Sequence, residues 1–508
     1  MNEVGLSSAR VGRRVRSFFA SVGAVISDAH LIEVGLPILV GLVLGVLVVL
    51  IRDLPTKWIG ALVMGIVGIV FVLLIGDIKK IVLSSVVVDT VLEFDVAIQN
   101  RGNHAGGPTG YTVSLLTLLL IVGYVVWIAE RKKSGIYWLK STALPLAFFI
   151  LMNVVSIVRA EDVPFSLYSI FGLVQVFLMY VYVINHVKTW DDLRLIFTTW
   201  IVCLLLESVF MAFLYVTGIR VEFAGISAGS YADTSGSVGG SRVSGTFGSP
   251  NGAAIWLTPS IVIAMGGYLL YTRQKLWLRW VALAALGFGV VALILTFSRS
   301  GWLALLLGIS IVALLNVWKG IGRRQIATLG FLGLIVVAAF SKPIITRLTG
   351  DDRGSVDSRR IGNEMAFNMI RDQPFTGVGA NNFDVRKFDY LPPELVGVQR
   401  KYVYIVHNHY WLIWAELGIG GLLVFLSMLA TTAFHNVKAL IRQRDAQVFM
   451  VAATLLGALG GYCSHMRSDV FATRAHVTLL WFMIALTAAL VRLSEEASEK
   501  VLCPESSS

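Results

Sequence analysis

Apolar runs long enough to cross a lipid bilayer recur from residue 33 to residue 492, and they decide what this chain can become. They lie at 33–51, 58–76, 111–129, 141–160, 166–184, 195–216, 252–271, 277–297, 301–318, 326–341, 410–431, 448–464 and 477–492. Segments of about 18 or more apolar residues belong in hydrocarbon, where a helix satisfies every backbone polar group internally. With 56% hydrophobic and 14% charged residues and a mean hydropathy of +0.76, a soluble globule is excluded. The expected fold is an all-α polytopic membrane protein of about 12–14 transmembrane helices with a large outer loop carrying short helices.

The net charge of +11 does not point to nucleic acid, because the basic residues stand in short clusters between apolar runs, where they set topology. Arg10, Arg13, Arg14 and Arg16, the ERKK run at 130–133, the KGIGRR run at 319–324, and Lys438, Arg442 and Arg444 all ask to be cytoplasmic. Thirteen runs place both termini in the cytosol only if one more passage exists. Residues 81–99 are the candidate, following Lys79 and Lys80 but carrying Asp89, Glu93 and Asp95, which suits a short re-entrant or interfacial segment. No small-residue cleavage site follows the basic arm, so the first run is expected to act as an uncleaved anchor. The three cysteines, Cys203, Cys463 and Cys503, have no metal or disulfide spacing.

The chain then divides into a basic arm (1–32), N-terminal spans with a first outer loop (33–110), a central membrane region (111–341), a large outer loop (342–409), C-terminal spans (410–492) and a cytoplasmic tail (493–508). The central region includes an outer loop at 217–251, rich in Gly and Ser, which reads as a flexible loop bearing Arg242. In the large loop, residues 356–371 read as an amphipathic helix with Ile361, Met365, Met369 and Ile370 along one side and Ser355 or Asp357 as N-cap. Pro374 stops it, Gly377 and Gly379 turn the chain, and the Ser358–Arg360 stretch faces water.

Chemistry concentrates at boundaries between loop and span. In TFSRSGW, Arg299 stands between two serines at the mouth of a helix hairpin, on the side where topology needs no positive charge, so an anion is the natural partner. In HNHYWLIWAELGIGG, His407 sits at a junction, and an unbroken helix would bring Gly418 beneath it, with Gly421 close to the same face. Two glycines on one stripe let a neighbouring helix approach and fix the imidazole in place. Arginine forks suit a diphosphate, and a neutral histidine can take a proton from a hydroxyl. Together they suit transfer from a diphosphate-linked lipid to a hydroxyl, with no metal or other cofactor required.

Three separated motifs, RVSGTFGSPNG around Arg242, FSRSGW around Arg299, and RDQPFTGVGANNF followed by HNHYWLIWAELGIGG, resemble the bacterial O-antigen ligase superfamily. That superfamily comprises O-antigen ligases, oligosaccharide repeat-unit polymerases and protein O-oligosaccharyltransferases. The likeness spans about residues 110–492, and the last motif keeps the pattern His-Asn, nine residues, Gly, with a second Gly three positions on. It implies that His407 is catalytic and that Arg242 and Arg299 bind diphosphate. It also implies an undecaprenyl-diphosphate-linked glycan donor, a lipid-core, glycan or protein acceptor, inverting transfer and a site on the periplasmic face of the bacterial inner membrane. The implied fold is similar to that of lipid-dependent multi-span glycosyltransferases. Ser249 before Pro250 departs from the Asn that the superfamily often carries there.

Asn408, Arg359 and Arg467 are further candidate substrate contacts, although an internal ion pair is the plainer expectation for Arg467, Asp469 and Arg474. His409 points about 200° from His407 on a helix, which argues against a shared metal. Glu416 is expected to tie helices together, Glu207 to make a structural hydrogen bond within its span, and His104 has no partner the sequence identifies. Two alternatives stand beside the transferase reading. One is a metal-dependent glycosyltransferase using Asp89, Glu93 and Asp95; the other is a flippase for lipid-linked sugars, for which no internal repeat is found.

Overall fold

The structure is a computed structural model that describes residues 77–92, 95–102, 104–130, 135–223, 226–232, 241–271, 276–350, 353–393, 405–442 and 445–502. The basic arm, the runs at 33–51 and 58–76, Glu93, Arg444 and Cys503 lie outside them. The described helices are α1 Ile78–Asp89, α2 Leu115–Glu130, α3 Lys140–Ser156, α4 Val163–His186, α5 Trp190–Thr217, α6 Pro250–Leu270, α7 Leu276–Leu295 and α8 Arg299–Trp318. They continue as α9 Arg323–Ala339, α10 Ser341–Thr349, α11 Arg353–Asp372, α12 Phe383–Arg386, α13 His409–Arg442, α14 Ala446–His465 and α15 Arg474–Leu502.

Among the described residues nine helices are long and apolar enough to cross a membrane, and the chain is a helical, multi-pass membrane protein. The expected run at 326–341 is half of a bent pair, α9 and α10 meeting at 67°. Residues 81–99 form no full passage: α1 has 12 residues, about 18 Å of helix against a hydrocarbon core of about 30 Å. A little sheet accompanies the helices. Asp95–Ile98 (β1) pairs antiparallel with Tyr111–Ser114 (β2), and Val221–Phe223 (β3), Ile226–Ala232 (β4) and Ser241–Gly245 (β5) form a three-stranded sheet. Arg242 therefore stands on a strand, not on a flexible loop. Gly and Ser carry no period of hydrophobicity by which the sequence could have announced that strand.

The core is centred on α6, whose apolar window is 94% buried. Ser249 caps it by accepting from the Gly252 amide, and Pro250 occupies the first turn, where its missing N–H costs nothing. Serine thus does the capping that asparagine would do. Two neighbouring helices, α8 and α14, approach as closely as backbones can. A Cβ on Gly308 would lie 2.9 Å from the Gly457 carbonyl oxygen, and one on Gly461 would lie 2.7 Å from that of Ala304. Small residues four apart on each helix thus form one antiparallel seam.

A second, smaller core lies under the large loop. Ile361, Met365, Met369 and Ile370 of α11 are buried with Val378, Phe383, Val406, Leu412 and Ala415. The helix starts earlier than expected, at Arg353, so Ser355 and Asp357 lie within it and neither is its cap.

Candidate functional site

The seam between α8 and α14 sets the geometry of the site. One turn beyond Ala304 stands Ser300, and one turn beyond Gly461 stands His465; Ser300 Oγ lies 3.2 Å from His465 Nε2. Close packing below thus fixes where Arg299, the residue before Ser300, emerges.

The turn that leads into α8 is held by two more arginines. Phe297 adopts a left-handed backbone, φ +53, and the carbonyls of residues 296 and 297 each accept from one of these arginines. Arg242 Nε donates to Thr296 O at 2.8 Å and its Nη2 to Asn251 Oδ1 at 2.8 Å. Arg347 Nε donates to Phe297 O at 3.1 Å. Ser298 caps α8 through the Gly301 amide and lies 3.3 Å from Ser300 Oγ. Arg242 and Arg299 thus belong to one turn, as their separate positions in the sequence could only suggest. Arg347, buried at 6% exposure, is a neighbour that the sequence reading missed, because an Arg in a short amphipathic helix resembles any solvated charge.

His407 lies just before α13, in a bend rather than a helix. Its Nδ1 is 3.2 Å from Asp469 Oδ1, and the chain around it is tied down by the His409 amide, which donates to Met466 O at 2.9 Å. Asp469 is 8% exposed in its side chain, against 23% for His407. Burial alone would push the Asp469 carboxyl up, but the hydrogen bond and charge of His407 and the Val470 amide together hold it below the usual carboxylate range. A carboxylate at Nδ1 selects the tautomer with its proton on that nitrogen, leaving Nε2 as the acceptor. Asp469 follows His465 by one turn, so Arg299, Ser300, His465, Asp469 and His407 form a continuous series of neighbours.

Other expectations change. Asn408 Oδ1 accepts from the amides of Tyr410 and Trp411, at 3.1 and 3.3 Å, and so caps α13. Arg359 is half-buried and lines a cleft with Trp411, while Arg467 is exposed in the turn that carries Asp469. The internal ion pair expected for the last-loop residues forms at Arg474, with carboxylates from outside that loop. Asp469 pairs with His407, whereas Arg474 Nε donates to Asp95 at 2.8 Å and its Nη1 to Asp89. Two of the three carboxylates of the metal-dependent alternative thus grip a guanidinium. Among the described residues no group of three or more His, Cys, Asp and Glu is arranged to hold a metal ion.

The unbroken helix drawn through Gly418 is also corrected. Gly418 has φ +71 and ψ −177, so α13 breaks there, and a Cβ would collide with the Phe375 carbonyl oxygen. The backbone that approaches is a loop. The Val378 and Gly379 amides donate to Ala415 O and Glu416 O, each at 2.9 Å, and the Ile419 amide donates back to Pro374 O at 2.9 Å. Leu417, just before the break, packs over Gly421, where a side chain would clash. The two glycines serve a kink and a loop clasp, not a straight helix–helix stripe.

Glu416 accepts from the Phe383 amide at 3.1 Å, and His104 lies 2.8 Å from Asn381 Oδ1 and stacks on Phe165. The GANNF segment between them fastens the first loop to the large one. Glu207 accepts from the Thr246 amide at 2.8 Å, a structural bond as expected, and Gly245 leaves the space it needs.

Residues 282–426 match the O-antigen ligase family model, a segment that contains both Arg299 and His407. The resemblance drawn from the motifs holds for that segment, and a membrane glycan-transferring function follows for the protein at this level. No curated protein matches the chain.

Proposed function

We propose that this O-antigen ligase superfamily protein transfers a glycan from an undecaprenyl-diphosphate-linked donor to an acceptor hydroxyl at the periplasmic face of the bacterial inner membrane. His407 Nε2 takes the proton of the acceptor hydroxyl, whose oxygen attacks the anomeric carbon of the donor. The bond from that carbon to the diphosphate breaks, and polyprenyl diphosphate departs with the electron pair. Arg242 and Arg299 bear on the departing charge, and opposite entry and exit invert the anomeric centre. Asp469 positions His407 rather than meeting substrate. Arg359 and Arg467 are further candidate contacts to donor or acceptor. A lipid core, a growing polysaccharide or a protein hydroxyl would each satisfy this chemistry.

The supporting observation is the paired imidazole, His407 Nδ1 against Asp469 Oδ1 at 3.2 Å, on the same turn-to-turn series as Arg299. Purified protein supplied with the host's lipid-linked glycan pool and envelope acceptors is expected to extend the acceptor. His407→Ala should abolish that transfer while the protein remains inserted. Transfer at the native rate by that variant would overturn the reading, as would movement of labelled lipid-linked glycan across vesicles that survives the substitution and needs no acceptor.

A further inference from the structure

The amphipathic helix α11 has a second stripe besides the one that builds its core. Arg359, Asn363, Phe367 and Arg371 recur every four residues, and on a helix that spacing sets them above one another on one face. Three of them, with Arg360 and Glu364, line an open cleft whose other wall is Trp411. Phe367 and Trp411 stand nearly parallel, 29° apart with ring centroids at 6.1 Å, and make one aromatic floor. Arg371 lies over Phe367 at 4.3 Å and extends it. Phe367 remains 43% exposed, so its ring is open to a ligand from the cleft.

A few polar groups stand around the rings. Asn363 Oδ1 is buried without a hydrogen-bond partner among the described residues, and Arg360 and Glu364 stand 3.7 Å apart one turn away. The cleft adjoins the reacting end, because Gly362 lets α11 settle on the next strand of chain. A Cβ there would stand 3.2 Å from Val406 Cα and 3.3 Å from Ile405 O, immediately before His407. Trp411 is four residues beyond His407, in the first turn of α13.

An aromatic floor with an amide, guanidinium groups and a carboxylate around it matches one ligand chemistry. A pyranose ring presents C–H groups on one face, which rest on aromatic rings, and hydroxyls at its edge, which need both donors and acceptors. A lipid chain would leave the polar rim unpaired, and a free phosphate would meet Glu364 and gain nothing from the rings. We infer that this cleft is a saccharide subsite that holds a sugar ring of the glycan beside His407. The inference rests on the transferase reading for its place in the reaction, but the binding itself does not depend on turnover.

The test uses full-length protein in nanodiscs and, as probe, free oligosaccharide released by mild acid from the host's lipid-linked pool, followed by saturation-transfer NMR. Native protein and His407→Ala should bind it alike. Phe367→Ala and Asn363→Ala should each weaken binding by about tenfold, with unchanged melting temperature. Trp411→Ala should do the same, with Trp411→Tyr restoring part of the affinity. Undiminished binding by both Phe367→Ala and Asn363→Ala would overturn the proposal. The same probe added to the transfer assay distinguishes the source: competition with the lipid-linked donor assigns the ring to the donor glycan, and competition with the acceptor assigns it to the acceptor glycan. Native-rate transfer by His407→Ala would sink the reading of the reaction and leave the cleft's binding as it stands.

Discussion

Arg474 and Arg242 are both arginines at the boundary of a helix bundle, yet their partners differ in kind. Arg474 is gripped by two carboxylates, Asp89 and Asp95, which cancel its charge and join α1 and β1 to α15. Arg242 donates to the Thr296 carbonyl and the Asn251 amide oxygen, and Arg347 donates to the Phe297 carbonyl. Each of these acceptors is an uncharged oxygen that holds a guanidinium in place and brings no countercharge of its own. Partner chemistry, more than residue type, separates a structural arginine from one suited to bind an anion.

The contrast breaks most sharply at its extremes. Arg299→Ala is expected to lower transfer by at least about 1,000-fold, equivalent to about 4 kcal/mol of lost transition-state stabilisation, with the melting temperature in detergent unchanged. Arg474→Ala should instead leave Asp89 and Asp95 facing each other and cost about 3–5 kcal/mol of stability, read as loss of monodisperse, extractable protein. If Arg299→Ala melts and Arg474→Ala does not, the comparison is inverted and fails.

Asp469→Asn sharpens it next. The variant keeps the shape of the side chain but removes the charge that orients His407, so kcat should fall by about 100-fold. KM should change little, whereas a merely structural Asp469 would leave kcat of the folded protein in place. The sign for stability is separate: a carboxyl held below its usual range stabilises the fold above that range, and the contribution is lost as pH falls through the depressed value. Arg242→Lys comes third. Lysine keeps the charge but cannot hold Thr296 O and Asn251 Oδ1 together while facing a diphosphate, so kcat/KM should drop by about tenfold.

Much of this was legible in the sequence, and the reasons differ by region. Apolar runs announce spans because length and composition alone decide them, and nine described helices answer to that signal. The stripe Ile361, Met365, Met369 and Ile370 was readable for the same reason, since burial follows helical period. The break at Gly418 was not. A glycine in an apolar helix reads as a packing residue, and only the PFTGVG turn, more than thirty residues upstream, supplies the carbonyl and amides that make a kink favourable there. Asp469 and Arg347 were hidden by distance along the chain, because their partners, His407 and Phe297, lie 62 and 50 residues away.

The smallest effect expected lies under Arg242 itself. Ser249 caps α6 with a bond to the Gly252 amide at 3.0 Å, and Asn251, two residues on, holds the Arg242 fork. Removing the cap with Ser249→Ala should destabilise the protein by about 1 kcal/mol, a loss a thermal melt resolves. Transfer should fall little, because the Arg242–Asn251 bond persists. Ser249→Asn should melt at the native temperature, since asparagine caps a helix as well as serine does. If instead Ser249→Asn changes activity without changing stability, this turn meets substrate directly, and the role proposed for Arg242 cannot be separated from its scaffold as the comparison with Arg474 requires.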